Sequence, residues 1–437
     1  MRHGMRISVG LVAATIVAGG CTSPVAESGT RVVMGDSGVP VSAGSSTSVS
    51  SATGQRRTMG DASNVRGVRP ARTSIETPAD VDISSALAIG AEIFRDELTR
   101  TTVQEDALLV LDQAVFHPDP LLRANALEAL QAAPSRVEGY AVAGLADANA
   151  GVRSVAAMTI GQLKLRDSAV KARALLNDPE PRVRASAVYA LVMNGYEAER
   201  QVLGDLLVHP NPKVRSHSAF VLGELGESSA SLMLRDVLRQ RLPGNRIEQR
   251  IFEVQVNEAL AKLGDSGAVA ALRAALYPSE VEDLEVSVLA MQALGEIGDR
   301  DEVAIGELVR VIEYVTPGSP QGNSPVPNWY RTDPDQQEFV YPPEVRLSAA
   351  AALARMGYTD GIYVCRQFIA DSDEAVRSQV AYTLGQMSPQ RVIGAERDRR
   401  HQARREAAGR LKLMLEDPSG LVRIHAAAAI LELIGQG

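Results

Sequence analysis

A nine-residue stretch, Asp178-Pro179-Glu180-Pro181-Arg182-Val183-Arg184-Ala185-Ser186, recurs in recognisable form along most of the chain. That recurrence constrains the fold more than any other feature. An acidic residue stands six positions before an arginine at Asp147/Arg153, Asp178/Arg184, Asp371/Arg377 and Asp417/Arg423, and a histidine does so at His117/Arg123 and His209/Arg215. Small or apolar side chains follow each arginine at +3, +4, +6 and +7. The steps from Arg123 to Arg153, Arg184 and Arg215 are 30, 31 and 31 residues, which is the period of a stacked helix pair.

Helical spacing begins near Ile83 and runs to Ile434. It divides into about nine pairs, each a helix A, a turn carrying the acidic residue, and a helix B that starts near the arginine. The B helices are predicted to begin near Leu121, Val152, Arg182, Lys213, Ile251, Glu285, Glu344, Ala375 and Leu421. Repeats five and six are degenerate, with Glu253 and Ser287 in the arginine column. The −1 column is apolar throughout (Leu122, Val152, Val183, Val214, Phe252 and onward to Val422). So is the +7 column (Leu130, Ile160, Leu191, Leu222, Leu260 and onward to Ile430). Both fall on one helix face and can bury against helix A and the next repeat. Alanine or serine at +3 in seven repeats, with Val256 and Val380 in the others, lets neighbouring helices approach. No single pair can bury its apolar face alone, so stability must come from stacking.

The Asp-x5-Arg pairing with valine before the arginine resembles the HEAT repeat. The Val-Arg-x-x-Ala-x-x-Ala-Leu-Gly variant resembles the HEAT-like repeats of phycobilin lyases, over roughly residues 102–436. The resemblance implies an all-α fold, a right-handed α-solenoid of about nine HEAT-like helix pairs over residues 81–436. It also implies a structural ladder in which each aspartate caps helix B and each arginine bonds across repeats. The rungs would be Asp147, Arg153, Asp178, Arg184, Arg215, Asp371, Arg377, Asp417 and Arg423.

Residues 1–20 read as a bacterial lipoprotein signal. Arg2 and Arg6 precede an apolar run, Ile7 to Ala18, too short for a stable membrane span. Val17-Ala18-Gly19-Gly20-Cys21 then resembles the lipobox, in which the cysteine is acylated and becomes the mature N-terminus. Residues 21–80, rich in Ser, Gly, Thr and Val, lack the apolar content to offset their chain entropy and read as a disordered tether. Thr22 in place of Asp after the cysteine favours the outer membrane, on its periplasmic side. Cys365, the second of two cysteines, then has no disulfide partner and reads as a buried apolar residue. The formal charge of −8 offers no general attraction for nucleic acid.

No motif for catalysis, metal or a cofactor emerges. His117, His209, His217, His401 and His425 form no metal-ligand spacing, and there is no phosphate-binding glycine loop and no Gly-x-Ser-x-Gly elbow. Three features are candidates for binding another protein or peptide. The +2 and +5 positions of the B helices, expected on the concave face, carry Tyr189, His217, Phe220 and Tyr382, with Met158, Gln379 and His425. An insertion at 316–343 between helices A and B of repeat seven carries Trp329, Tyr330, Phe339 and Tyr341, residue types enriched at binding hot spots. A basic run in helix A of repeat nine, Arg397 to Lys412, reads as a solvated face or as a contact for an acidic partner or lipid headgroups. The expectation is a non-enzymatic, membrane-tethered interaction scaffold of the cell envelope. The rivals are a phycobilin-lyase-like enzyme or subunit and a purely structural spacer.

Overall fold

The computed structural model describes residues 82–313, 341–387 and 397–435. The expected leader, Cys21 and the tether lie outside these residues, as do Trp329, Tyr330 and Phe339. Every regular element among the described residues is helical. Helix α1 (Ile83–Arg95) stands alone, and nine A/B pairs follow it. The A helices are α2 (Glu97–Ala114), α4 (Pro134–Gly144), α6 (Arg166–Ala169, extended by a 3-10 segment to Asn177), α8 (Gln201–Leu207), α10 (Ala230–Val237), α12 (Ser266–Ala274), α14 (Glu302–Ile312), α16 (Ile362–Phe368) and α18 (Arg397–Met414). The B helices are α3 (Pro120–Ala129), α5 (Ala150–Gln162), α7 (Pro181–Met193), α9 (Pro212–Leu225), α11 (Arg246–Lys262), α13 (Leu284–Ile297), α15 (Pro343–Met356), α17 (Glu374–Gly385) and α19 (Gly420–Ile434).

Local chemistry sets where the B helices begin. Pro120, Pro181, Pro212 and Pro343 occupy the first turn, where the missing N–H is not needed. The side chains of Asp119, Asn149, Asn211 and Asp373 cap their helices, accepting first-turn N–H groups at 2.8–2.9 Å. Helix α11 starts five residues earlier than predicted, because Asn245 and Glu248 form a reciprocal capping box there.

The ladder departs from expectation in a useful way. The aspartate at −6 is not the cap: Asp147 Oδ1 accepts from Asn149 N–H at 2.8 Å, and Asn149 in turn caps the helix. Asp178, Asp371 and Asp417 accept likewise from Glu180, Asp373 and Ser419 N–H, and the side chains of Glu180 and Asp373 cap their helices. His117 and His209 fill that role through Nδ1, accepting from Asp119 N–H at 3.0 Å and Asn211 N–H at 3.1 Å. Each arginine directs Nη1 at the carbonyls of its own turn, for example Arg153 at Asp147 O and Ala148 O. At three of them the remaining edge of the guanidinium grips an aspartate of the next repeat. Arg123 grips Asp147, Arg153 grips Asp178 and Arg377 grips Asp417, each bidentately at 2.8–3.0 Å.

Other rungs use different partners. Arg215 is fully buried and finds the Pro243 carbonyl at 2.8 Å, with the Phe252 ring 5.2 Å from its guanidinium carbon. Gly244, at φ 141°, turns the chain there in a conformation few other residues adopt. In repeat five the arginine column holds Glu253, and Arg246 and Arg250, one to two turns earlier, pair with Asp283 instead.

The columns pack as their spacing requires. All nine +3 residues, from Ala126 to Ala426, have no exposed surface. The −1 column is buried except for half-buried Leu122. Glycine at +8 brings B helices together: a Cβ on Gly223 would lie 2.8 Å from Ala259 Cα, and one on Gly295 would lie 2.9 Å from Ala352 Cα.

The array also closes on itself. Each B helix packs against the next, and α19 packs against α3 and α2, so the nine B helices form an unbroken circuit. Helix α18 lies along α1. A side chain on Gly90 would run into the Arg405 carbonyl, and one on Gly409 into the Ala86 carbonyl, so the two helices meet backbone to backbone. The Arg404 guanidinium sits 4.4 Å from the centre of the Phe94 ring and donates to the Leu433 carbonyl. Across the seam, His425 Nε2 meets Asn125 Oδ1 at 3.2 Å. The expected solvated basic face is thereby corrected: Arg400 and Arg410 are buried, and Arg410 is bonded to Glu406. Arg366 of α16 bonds the same Glu406 carboxylate at 2.7 Å, while Arg399 and Arg405 remain exposed.

Candidate functional site

Closure turns the inner helix face into a lumen. Its wall is built from the +5 position (Phe220, Glu258, Gln292, Tyr382) and the +9 position (Lys262, Glu296), with Gln255 and Leu289 from +2. Phe220 belongs to repeat four and Tyr382 to repeat eight, yet they line one cavity of about 50 Å3. Opposite arcs of the ring therefore meet across the centre.

Charged side chains fill the rest. Lys262 Nζ contacts Glu258 at 2.6 Å, Glu224 at 2.7 Å and Glu296 at 3.2 Å. Arg355 reaches Glu296 at 3.0 Å from the next repeat and lies over the Tyr382 ring, while Lys262 lies over Phe220. Burial opposes the Lys262 charge, but the three carboxylates outweigh it and hold the ammonium well above the ordinary lysine pKa. Burial alone would raise Glu296, and Lys262 with Arg355 bring it below its usual value. Two carboxylates near the seam lack such support. Burial lifts Glu432 to about 7, against the pull of Arg355, and lifts Glu128 well above the usual range, with Glu432 and Glu296 adding to the effect. Chemically, this is a packed electrostatic plug.

The +2 position faces the neighbouring B helix. His217 Nε2 bonds Ser186 Oγ at 2.9 Å, Ser186 Oγ bonds Ser154 Oγ at 2.8 Å, and Gln379 bonds Ser348 at 2.7 Å. His425 bonds Ser378 as well as Asn125. Burial pushes His217 down to about 3 and His425 down to about 4, so both are neutral links between helices.

The predicted binding residues thus separate. Phe220 and Tyr382 are brought together in the lumen. Tyr189, 1 % exposed, lies in the slot left by Gly161 of the preceding B helix, and His217, 3 % exposed, is spent on Ser186, so neither can meet a partner. Tyr341 is corrected as well: it is buried in the core beside α15. Cys365 is fully buried, as expected, and its thiol is pushed up to about 12 by burial, with Glu406 adding to the effect. Sequence reasoning missed the +9 column, which runs Glu224, Lys262, Glu296, Arg355, Gln386, Glu432. Polarity unbroken from repeat four to repeat nine, after Ala132, Gln162 and Met193 in the first three, is its signal.

A single chain that stacks helix pairs into a continuous array is an α-solenoid. The repeats are HEAT repeats: the HEAT-repeat family profile matches residues 140–211 and 341–430. The chain thus contains HEAT repeats over these stretches. Among solved structures, the complex of CpcE and CpcF of phycocyanin lyase from Nostoc sp. PCC7120 is similar at 18% identity and TM-score 0.36, over 61% of this chain and 92% of that one. Human deoxyhypusine hydroxylase in complex with glycerol is similar at 19% identity and TM-score 0.30, over 63% and 96%. An engineered protein follows at 15% and 0.23, over 80% and 98%. No curated protein matches the sequence. Among the described residues no helix is long and apolar enough to cross a membrane, and no cluster of His, Cys, Asp and Glu could hold a metal ion.

Proposed function

We propose that the chain is a non-enzymatic protein-interaction scaffold of the bacterial cell envelope, tethered to the outer membrane through acylated Cys21. Partners would be other proteins or peptides, docking on the rim and outside of the ring. Closure of the ring is the observation that carries this reading. It uses the inner face for self-contact, and it leaves a pre-formed body onto which a partner docks with little backbone change. The lumen cavity of about 50 Å3 is far below the roughly 300–1,000 Å3 of ordinary ligand pockets, which argues against a chromophore or substrate held there. The leader, the lipobox-like Cys21 and the Ser/Gly/Thr-rich tether support the anchoring. Trp329, Tyr330 and Phe339 supply a second docking element in the insertion between α14 and α15.

Crosslinking in intact envelopes tests the proposal. The wild type should capture one stoichiometric protein partner, and replacing residues 318–340 with a Gly/Ser linker should reduce capture at least tenfold. A Cys21→Ser variant should lose detergent partitioning. A coloured or covalent small-molecule adduct, or no partner from intact cells, would refute the scaffold reading.

A further inference from the structure

Two rungs of the ladder are open. At Arg123, Arg153 and Arg377, Nη1 is held by the carbonyls of its own turn and the free edge of the guanidinium clasps an aspartate of the next repeat. Arg184 is held the same way, through Asp178 O at 2.8 Å and Pro179 O at 3.5 Å, and Arg423 through Asp417 O at 2.6 Å and Pro418 O at 3.1 Å. By register, the residue of repeat four at the position of the gripped aspartate is His209. Because the ring closes, the residue due to face Arg423 is His117 of repeat one. In register, an imidazole thus replaces the carboxylate that Arg123, Arg153 and Arg377 grip. Among the described residues, Nε and Nη2 of Arg184 and Arg423 have no hydrogen-bond or ion-pair partner, and both side chains are half-buried, within reach of solvent.

The histidines add to the demand for an anion. Nδ1 of each accepts a backbone N–H, from Asn211 at 3.1 Å and from Asp119 at 3.0 Å. That bond assigns the neutral-state proton to Nε2, which then is a donor. Each open rung therefore offers an arginine edge fixed in the orientation that grips carboxylates elsewhere in the ring, with a histidine at the register position of the missing carboxylate.

We propose that Arg184 with His209, and Arg423 with His117, are binding sites for carboxylate side chains of an acidic partner protein. This rests on the scaffold reading and names the chemistry of the partner's contact. The intact rungs are the template, since three carboxylates of this chain occupy the equivalent fork at 2.8–3.0 Å. A fixed bidentate fork takes a carboxylate with less ordering cost than a free arginine would.

The test uses the full chain and a fluorescein-labelled glutamate-rich peptide, read by anisotropy at low salt, with inorganic phosphate as a second probe. Arg184→Gln with Arg423→Gln should weaken peptide binding roughly tenfold or more, the scale of a lost charge-assisted bidentate contact. The decisive pair is His209→Asp with His117→Asp, which supplies each fork with an internal carboxylate. These variants should lose peptide binding to the same extent while their melting temperature is unchanged or higher. Peptide binding unaffected by the aspartate variants would overturn the proposal. So would a wild type that binds inorganic phosphate but not the peptide. Failure of the envelope crosslinking, with peptide binding still abolished by the aspartate variants, would sink the scaffold reading and leave the forks standing.

Discussion

Arg153→Ala should destabilise the ring far more than Arg184→Ala, although the two arginines share a column and a sequence context. Arg153 makes two bonds to Asp178, at 2.8 and 2.9 Å, and two to carbonyls of its own turn, at 2.9 and 3.1 Å. Removing it strands Asp178, whose side chain is 6 % exposed, with only the Glu180 N–H as a partner. Charge-assisted bonds contribute about 1.5–3 kcal/mol net, and an unpaired, largely buried charge costs more, so a loss of about 2–4 kcal/mol is expected. Arg184 loses only its two carbonyl bonds, in a half-exposed setting, for about 0.5–1.5 kcal/mol. The packing lost with the side-chain methylenes is similar in both, so the difference isolates the carboxylate rung.

Urea unfolding at pH 7 measures the gap, provided the slope is unchanged between variants. A double-mutant cycle with Asp178→Ala should return a coupling of about 1–2 kcal/mol. The pH dependence gives an independent check. Burial would raise the Asp178 pKa, but the bonds from Arg153 and Glu180 N–H bring it below the usual value. A depressed carboxylate contributes stability that is present above its unfolded pKa, about 3.9, and is lost as pH falls below it. The gap between the two variants should therefore narrow below about pH 4. Equal costs for the two alanine variants at pH 7 would refute the reasoning.

Three other outcomes follow from the seam and the core. Glu432→Gln should be near neutral at pH 4 and stabilising at pH 8 by on the order of 3 kcal/mol, because the carboxylate penalty begins above the unfolded value and is complete above about 7. His425, held down to about 4, works with opposite sign, its contribution being lost as pH falls from about 6.5 to 4; the glutamine variant should accordingly gain stability from pH 4.5 to 6.5, where the wild-type profile is flat by melting temperature. Gly409→Val should part α18 from α1 and raise the radius of gyration in X-ray scattering while the helical circular dichroism persists; an unchanged radius would contradict the backbone contact. Cys365 should resist maleimide in the native state and react once urea is added.

Much of this fold was legible because its chemistry is local. The −1, +3 and +7 columns, the nine pairs and most B-helix starts follow from periodicity, proline and capping residues within a few positions of each other. Closure was not legible in that way. It depends on residues about 300 positions apart, such as Asn125 with His425, and no local pattern encodes that distance. Gly90 and Gly409, each inside a helical run, were its only traces, and a helical glycine has many uses. Tyr189 and His217 were misplaced for the same reason. A +2 or +5 residue faces a partner only if the neighbouring B helix leaves it exposed, and the glycine at +8 draws that helix too close. The Asp-x5-Arg spacing does not distinguish the −6 aspartate from the residue two positions on, and it is that residue, as at Asn149, which caps the helix.

Closure also changes what the ends of the array must do. An open solenoid needs terminal repeats with polar outer faces, because the first and last pairs would otherwise leave apolar surface in water. Here repeats one and nine cap each other, and α1 covers α18, so no dedicated cap is required. Nine steps that return to their start turn by about 40° each, which demands wedge-shaped repeats with B helices closer together than A helices. Glycine at +8 against alanine at +6 meets that demand on the inside. The insertion after α14 does not disturb it, because α13 and α15 still pack directly. Sequence can therefore vary at the A–B turns without opening the circuit. It is at these turns that the two open arginine forks and the long insertion are found.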